Sequence, residues 1–155
     1  MKTVIDARSR YIRFAHSILV SIQDAEDVVQ DCYIRLYDRG AAEEIANPEA
    51  YMMRSVRNAC IDHLKKKRPG VLTEEQEISI APEVLRQIDS REHTQRLEQL
   101  MALLPEQQRT VFYLRDIEAC ELKEIESVTG LSNEAVRTCL SRARKQLRSM
   151  YQQLK

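Results

Sequence analysis

Apolar residues recur every three or four positions along most of the chain, which is the spacing of amphipathic helices. Glycine and proline, which interrupt helices, number only 3 and 4 among the 155 residues. The pattern therefore predicts an all-α fold and argues against a multi-strand barrel or sandwich. We predict helices over residues 3–23, 24–38, 47–68, 82–104, 105–116, 121–129 and 132–150.

Residues that start and stop helices divide the predicted helices into two groups. Asn47-Pro48-Glu49 is a strong helix start, because it offers an N-cap, a preset first turn and a charge that suits the helix dipole. Pro69-Gly70 stops that helix, and the acidic segment that follows lacks helical periodicity. We therefore predict two small helical domains, residues 1–68 and 91–155, joined by a short acidic linker at 69–90.

The C-terminal part has the order of a helix, a tight turn and a second helix. Gly130 supplies the left-handed residue of the turn, and Ser132 is placed to cap the last helix. That helix has an apolar side and a polar, basic side, and Glu134 is the last acid of the chain. Helix-turn-helix proteins place such a second helix in the major groove of DNA. The alternative is an ordinary amphipathic helix with a solvated face, although such faces normally mix charges of both signs.

The third predicted helix also carries cations on its outward side. An aromatic ring and an amide accompany them, and this combination suits single-stranded or distorted DNA, because rings stack on unpaired bases while cations hold phosphates. The alternative is a solvated surface. The outward residues are Tyr51, Arg54, Arg57, Asn58, Ile61, Lys65 and Arg68.

The second predicted helix has the opposite charge. Asp24, Asp27, Asp31 and Asp38 project as one stripe, with Ile34 beside them. Like charges at helical spacing repel one another, so the stripe suggests docking on a basic protein surface. Paired catalytic carboxylates are the rival interpretation, but the sequence offers no histidine that would complete a metal site with them.

The charge of the chain is balanced overall and uneven along its length. Its 24 basic and 24 acidic residues cancel, yet residues 135–155 hold six cations and no acid. A second basic cluster stands in residues 54–68. Two basic sites on a neutral chain suggest two contacts with a polyanion such as nucleic acid.

Several classes of protein lack support in the sequence. The four cysteines, Cys32, Cys60, Cys120 and Cys139, are far apart, and we interpret them as reduced and buried. No zinc spacing, phosphate-binding loop or nucleophile motif occurs, so we predict no catalytic residue, metal or cofactor. No apolar run approaches the ~18 residues of a membrane span, and the N-terminus lacks a secretory signal. We therefore expect a cytoplasmic protein without membrane insertion.

Three stretches of the chain together resemble the bacterial sigma factors of the extracytoplasmic-function group, two-domain proteins that carry RNA polymerase to promoters. Residues 24–37, DAEDVVQDCYIRLY, resemble the family's polymerase-binding helix. Residues 47–68 resemble the helix that recognises and helps to open the minus-10 element, and residues 103–148 resemble the helix-turn-helix domain that reads the minus-35 element. The resemblance covers nearly the whole chain and implies promoter-specific initiation by a protein without a catalytic site.

Together with the helix faces, the resemblance assigns residues to three partners. Binding of the polymerase core is expected from Asp24, Asp27, Gln30, Asp31, Ile34 and Asp38. Binding of minus-10 DNA is expected from Tyr51, Arg54, Arg57, Asn58, Ile61, Asp62, Lys65 and Arg68. Binding of minus-35 DNA is expected from Ser132, Asn133, Glu134, Arg137, Thr138, Ser141, Arg142, Arg144, Lys145 and Arg148.

The partners implied are therefore bacterial RNA polymerase core, promoter DNA and, since the family often has one, an anti-sigma factor. A stand-alone DNA-binding regulator is the second hypothesis. It would use the same C-terminal helix-turn-helix but would need neither the acidic stripe nor the basic side of the third helix. A nuclease or another enzyme is the third, and it would need a metal-ligand or nucleophile cluster that the sequence does not offer.

Overall fold

The structure, a computed structural model, describes residues 7–38, 47–67, 82–86 and 93–154. All of the regular elements within these ranges are helical, which confirms the predicted fold class. Arg68 and most of the predicted acidic linker lie outside the described residues. The elements are α1 Arg8–Leu19, α2 Ile22–Asp38, α3 Pro48–Lys67, α4 Pro82–Arg86, α5 His93–Met101, α6 Glu106–Phe112, a π-helical turn Tyr113–Ile117, α7 Leu122–Thr129 and α8 Asn133–Gln153.

Helices α1 to α3 form an N-terminal lobe in which each helix packs on the other two. Each buries an apolar stripe, because short helices gain most of their stability from packing rather than from propensity. Helical spacing predicts the stripe of α2, and this prediction is confirmed, since Ala25, Val28, Val29, Cys32 and Leu36 are all buried. The largest fully buried side chains of this lobe are Tyr11, Phe14, Ile18, Leu36 and Met52.

The boundary between the first two helices differs from the prediction of one helix over residues 3–23. Helix α1 ends at Leu19, because Val20 adopts a left-handed φ of 67° and its amide bonds back to the His16 carbonyl at 2.8 Å. Ser21 then caps α2, its Oγ accepting from the Asp24 amide at 3.3 Å. Helical spacing from Ile18 predicts Ile22 on the apolar side of the first helix, and this prediction is wrong, since the Ile22 side chain is 52% exposed.

Helices α4 to α8 form a C-terminal lobe built around α8. The apolar stripe predicted for α8 is confirmed, because Val136, Cys139, Leu140, Ala143, Leu147 and Met150 are all buried. The helix predicted over 105–116 consists of α6 and the π-helical turn. The short helix α4 falls within the predicted linker, yet it lies against α8 and its Leu85 is 2% exposed.

The two lobes pack on each other through three pairs of elements. Helix α1 lies on α6 and the π-helical turn, and α3 lies on α7. At the first contact the Phe14 and Tyr113 rings stack with their centroids 6.0 Å apart. The buried apolar side chains of both lobes consequently form one continuous cluster.

The strained end of α1 leads to a prediction about stability. A left-handed backbone is unfavourable for a branched side chain and costs glycine little. Val20 is 52% exposed, so its removal sacrifices little burial. We expect Val20→Gly to raise the free energy of unfolding by about 1 kcal/mol, measured by urea denaturation.

Ala119, which also has a positive φ of 58°, provides a matched comparison. Ala119→Gly should give a smaller gain, because alanine lacks the branch that crowds the backbone of Val20. A loss of stability in Val20→Gly would contradict this account of the helix end.

Candidate nucleic-acid and protein interfaces

The first candidate interface is the acidic stripe of α2, which we define as Asp24, Asp27, Asp31 and Asp38. Asp27, Asp31 and Asp38 are exposed, as are the neighbouring Gln30 and Ile34 that were predicted with them. The positions lie on one side of the helix, opposite the buried stripe that faces α1 and α3. This side therefore presents carboxylates and one large apolar residue to solvent.

Asp24 differs from the other members of the stripe because it is held inside the lobe. Its Oδ2 lies 2.9 Å from Lys67 Nζ and 3.3 Å from His63 Nε2, both at the end of α3. The hydrogen bond from Lys67 lowers the pKa of the Asp24 carboxyl below its usual value. Asp24 thus joins α2 to α3, and the charge of its carboxylate is already neutralised by Lys67.

One further exposed residue extends this side of α2. Tyr37 is 46% exposed and Ile34 is 49% exposed, three positions apart on the helix. Large exposed apolar groups beside a charged stripe are typical of protein-binding surfaces. The sequence contained the signal, because Tyr37 lies off the apolar stripe of α2, but the predicted set comprised only the four carboxylates, Gln30 and Ile34.

The second candidate interface is the outward side of α3, which we call the α3 face. Asn47 caps the helix as predicted, its Oδ1 accepting from the Ala50 amide at 3.2 Å. The face includes exposed and half-buried groups, because α3 packs on α1 and α2 from one side and on α7 from another. Arg54, Asn58, Asp62 and Lys65 are exposed, and Tyr51, Arg57 and Ile61 are half-buried.

Arg57 and Asn58 are adjacent on the α3 face. Arg57 Nη1 donates to Asn58 Oδ1 at 3.4 Å, while Arg57 Nε is buried and makes no hydrogen bond. Asn58 is exposed, and this bond uses only its Oδ1. The pair therefore combines a cation for a phosphate with an amide for the edge of a base.

The third candidate interface rests on a helix-turn-helix formed by α7 and α8. Gly130 has a φ of 76°, and its amide bonds to the Glu126 carbonyl at 2.8 Å, which ends α7. Thr129 Oγ1 donates to the Ile125 carbonyl at 2.7 Å and accepts from the Leu131 amide at 3.2 Å, so the turn is fixed from both sides. Ser132 Oγ then accepts from the Ala135 amide at 3.1 Å and caps α8.

The polar side of α8, which we call the α8 face, runs the length of the helix opposite its buried stripe. It begins with exposed Ser132, Asn133 and Glu134 and continues through cations. Thr138 and Arg142 are half-buried at its edge. The remaining predicted members, all exposed, are Arg137, Ser141, Arg144, Lys145 and Arg148.

Arg144 and Asn133 of the α8 face are bound to acidic side chains of other parts of the protein. Arg144 makes a two-point bond to Asp116, with Nε to Oδ2 at 2.9 Å and Nη2 to Oδ1 at 2.6 Å. Asn133 Nδ2 lies 3.4 Å from Glu126 Oε2. The Asp116 pair fixes the Arg144 guanidinium and neutralises it, so Arg144 adds less positive potential to the face than its sequence position predicts.

The described residues also bear on catalysis and on membranes. The four cysteines are buried and none of them forms a disulfide, as predicted, and burial raises the pKa of the Cys32 thiol to about 11. Within the described ranges no three His, Cys, Asp or Glu side chains converge as a metal site would require. None of the described helices has the length and apolarity to span a membrane.

Comparison with known proteins shows which protein family the chain is similar to. Residues 4–69 match the family model for Sigma-70 region 2, and residues 94–147 match the model for Sigma-70 region 4. Two relatives from Bacillus subtilis strain 168 are each 26% identical to the chain. The ECF RNA polymerase sigma factor SigW matches over 95% of this chain and 86% of its own length. The RNA polymerase sigma factor SigV matches over 94% and 86%.

The fold is also similar to that of a solved structure. The sigma factor RpoE from Bartonella quintana, crystallised in complex with the anti-sigma factor NepR, superposes with a TM-score of 0.74 at 19% identity. The match covers 97% of this chain and 95% of that chain. At this identity the likeness supports the arrangement of helices rather than any individual residue.

The turn of the helix-turn-helix yields a prediction that isolates backbone strain. A Cβ at Gly130 would meet no atom within 4 Å, so substitution introduces no clash. The left-handed backbone alone should make Gly130→Ala less stable by ~1 kcal/mol in urea denaturation. Gly130→Asn should lose less, because asparagine tolerates this conformation. Equal stability of all three proteins would be inconsistent with a strained turn.

Proposed function

Because the chain belongs to the sigma-70 family of RNA polymerase sigma factors, in its extracytoplasmic-function group, we propose that its three faces divide the work of transcription initiation. The protein directs the polymerase core to promoters, and the polymerase supplies the chemistry. The acidic stripe of α2 binds the core, the α3 face binds the minus-10 element, and the α8 face binds the minus-35 element.

The domain boundaries proposed are those of the sequence. Residues 1–68 form the region that binds the core and opens the minus-10 DNA, and residues 91–155 form the region that reads the minus-35 element. Residues 69–90 join them, with α4 resting on α8. The family models, which match residues 4–69 and 94–147, support this division.

The observation that carries the proposal is the composition of the α8 face. It lies on the second helix of a helix-turn-helix, and the chain holds no acid after Glu134. Exposed Arg137 and Ser141 stand in its N-terminal half, where such helices reach base edges. Exposed Lys145 and Arg148 lie further along, where they suit phosphates.

Support for the minus-10 assignment comes from the mixture of groups on the α3 face. Tyr51 offers a ring, Asn58 an exposed amide, and Arg54 and Lys65 exposed cations. Proteins that hold single strands combine stacking rings with cations along the backbone path. A duplex reader inserted in a groove would not need the ring, whereas a protein that captures an opened strand would.

Support for the core-binding assignment comes from the neighbouring charge and apolar surface on α2. Exposed Asp27 and Asp31 supply the electrostatic complement of a basic surface, and Ile34 with Tyr37 supplies apolar area. Interfaces of this kind use charge for encounter and register and use buried apolar groups for affinity. A stand-alone regulator would have no use for such a stripe.

Two predicted site residues have mainly structural roles in this scheme. Asp24 ties α2 to α3 through Lys67, and Ser132 caps α8. Replacing either residue therefore tests the support of an interface rather than its contact with a partner.

We expect the protein to act in the cytoplasm, where the polymerase works. An anti-sigma factor is a proposed further partner, as for the similar Bartonella structure.

The first functional prediction concerns the acidic stripe. In run-off transcription with core polymerase that lacks any other sigma factor, the protein should produce specific start sites. Asp27→Lys with Asp31→Lys should weaken core binding tenfold or more, because reversed charges oppose both encounter and register. Stability should change little, since exposed charges contribute little to folding.

Glu26→Lys provides the matched control, because Glu26 is exposed on α2 but lies off the acidic stripe. It should bind core polymerase like the original protein. Equal weakening by Glu26→Lys would show that net charge, and not the stripe, sets the affinity. A folded protein without any specific start site would remove the assignment as a whole.

The second functional prediction separates base reading from phosphate anchoring on the α8 face. Arg137→Ala in the polymerase holoenzyme should cost ~1–3 kcal/mol and relax preference at one or two minus-35 positions. Arg148→Ala should weaken all sequences alike and lower the salt slope by about one. The measurement is selection from a randomised minus-35 library at two salt concentrations. The opposite pattern would reverse the orientation of α8 in the groove.

A further inference from the structure

We propose that Asp116, which lies outside the helix-turn-helix, is a specificity-determining residue for the α8 face. It holds the Arg144 guanidinium in one orientation and cancels its charge, so that Arg144 binds a DNA phosphate well only when α8 lies in one register along the groove. Asp116 is thus a positioning residue that acts through Arg144. This role rests on the proposed binding of minus-35 DNA by the α8 face.

Arg144 stands in the middle of the row of cations that α8 presents to solvent. It follows Arg137 by two turns and precedes Arg148 by one, and all three side chains are exposed. At 3.6 residues per turn, Arg144 and Arg148 project within about 20° of the direction of Arg137. Arg144 therefore lies between the residue proposed to read bases and the residue proposed to hold a phosphate.

The bonds to Asp116 use one side of the Arg144 guanidinium and leave its outer end available. Nε donates to Oδ2 at 2.9 Å and Nη2 donates to Oδ1 at 2.6 Å. A guanidinium carries five N–H donors, so the fork made by Nη1 and the second hydrogen of Nη2 is not used by this pair. Arginine binds phosphate through such forks of two parallel donors.

Asp116 is itself carried by a firmly held segment, the π-helical turn. The Cys120 amide donates to the Leu114 carbonyl at 2.8 Å, and Arg115 Nη1 donates to the Cys120 carbonyl at 2.9 Å, so two bonds close the chain around Asp116. Its side chain is 26% exposed, and both carboxylate oxygens accept from Arg144. The carboxylate therefore supports the guanidinium rather than contacting DNA itself.

The charge of the pair decides what Arg144 contributes to DNA binding. A cation without this partner would attract the phosphates of any sequence. The carboxylate of Asp116 cancels that attraction and repels phosphates in most other positions. A phosphate seated on the outer fork still gains two directed bonds, and such contacts fix the register of a protein on the duplex. The pair therefore favours one register while adding little affinity for random DNA.

The test measures the sequence preference and salt dependence of the polymerase holoenzyme on a randomised minus-35 library. Asp116→Asn keeps the shape of the side chain and removes its charge. It should strengthen binding to random sequences roughly three- to tenfold at low salt and increase the salt slope by about one, because one more cation releases a counterion. The affinity ratio of the preferred to the random sequence should fall by a similar factor.

Two further variants separate geometry from charge. Arg144→Lys keeps a cation beside Asp116 but loses the fork, so the sequence preference should fall while the salt slope stays unchanged. Asp116→Asn combined with Arg144→Ala should return the salt slope to its original value, because the unneutralised cation is gone. An unchanged preference in Arg144→Lys would overturn the proposed role even if Asp116→Asn failed to fold.

Glu98→Gln provides the matched control, because Glu98 is an exposed carboxylate on α5 of the same lobe. It should alter neither the preference nor the salt slope, and an effect equal to that of Asp116→Asn would overturn the role by showing that net charge alone matters. Urea denaturation should differ little among the proteins, since exposed ion pairs contribute little to folding. Asp116→Asn that binds all sequences more weakly at an unchanged salt slope would reveal structural support only and would also overturn the role.

The original protein separates this role from the proposed function. Specific start sites and a minus-35 preference that Asp116→Asn does not alter would leave the function intact and overturn the role of Asp116. A folded original protein with neither specific start sites nor a minus-35 preference would overturn the function, and the role of Asp116 with it.

Discussion

Helix α3 packs on both lobes at once and still keeps one side exposed, and this constraint shapes the rest of the structure. One side buries Met52, Met53, Val56 and Cys60 in the N-terminal lobe, another side lies on α7, and what remains faces solvent as the α3 face. A helix has room for one wide apolar stripe and one polar face. The outward residues nearest the neighbouring helices are accordingly half-buried, and the fully exposed groups of the α3 face form a narrow band.

The sequence predicts the fold best where a helix has a single buried stripe. The stripes of α2 and α8 follow from a period of 3.6 residues, because each faces one core and one solvent side. Periodicity fails at the end of α1, since Ile22 follows Ile18 by four residues although the chain breaks between them. The break depends on Val20 and on the Ser21 cap, and a branched residue in a left-handed conformation has no local sequence signal.

The candidate faces could be predicted as sets of residues, but their internal partners could not. Lys67 reaches Asp24 across 43 positions, and Arg144 reaches Asp116 across 28. Each pair joins residues that belong to different helices, so only the tertiary arrangement brings them together. The buried Arg109 shows the same limit, because its partner Ile18 is a backbone carbonyl that any residue would provide. The sequence shows which positions carry charged side chains. The packing of the helices decides which of these charges are already neutralised by a partner within the protein.

The balanced charge of the chain matters for how two DNA-binding faces can share one protein. Net charge of zero weakens long-range attraction to DNA, so neither basic face alone is expected to hold random duplex strongly. Joining the faces turns the second contact into an intramolecular event, which strengthens binding without any new contact, but only if the geometry permits both at once. In the proposed assignment the acidic stripe docks on the polymerase, so this gain is realised on the complex, where the polymerase fixes both faces relative to one promoter, and not by the protein alone.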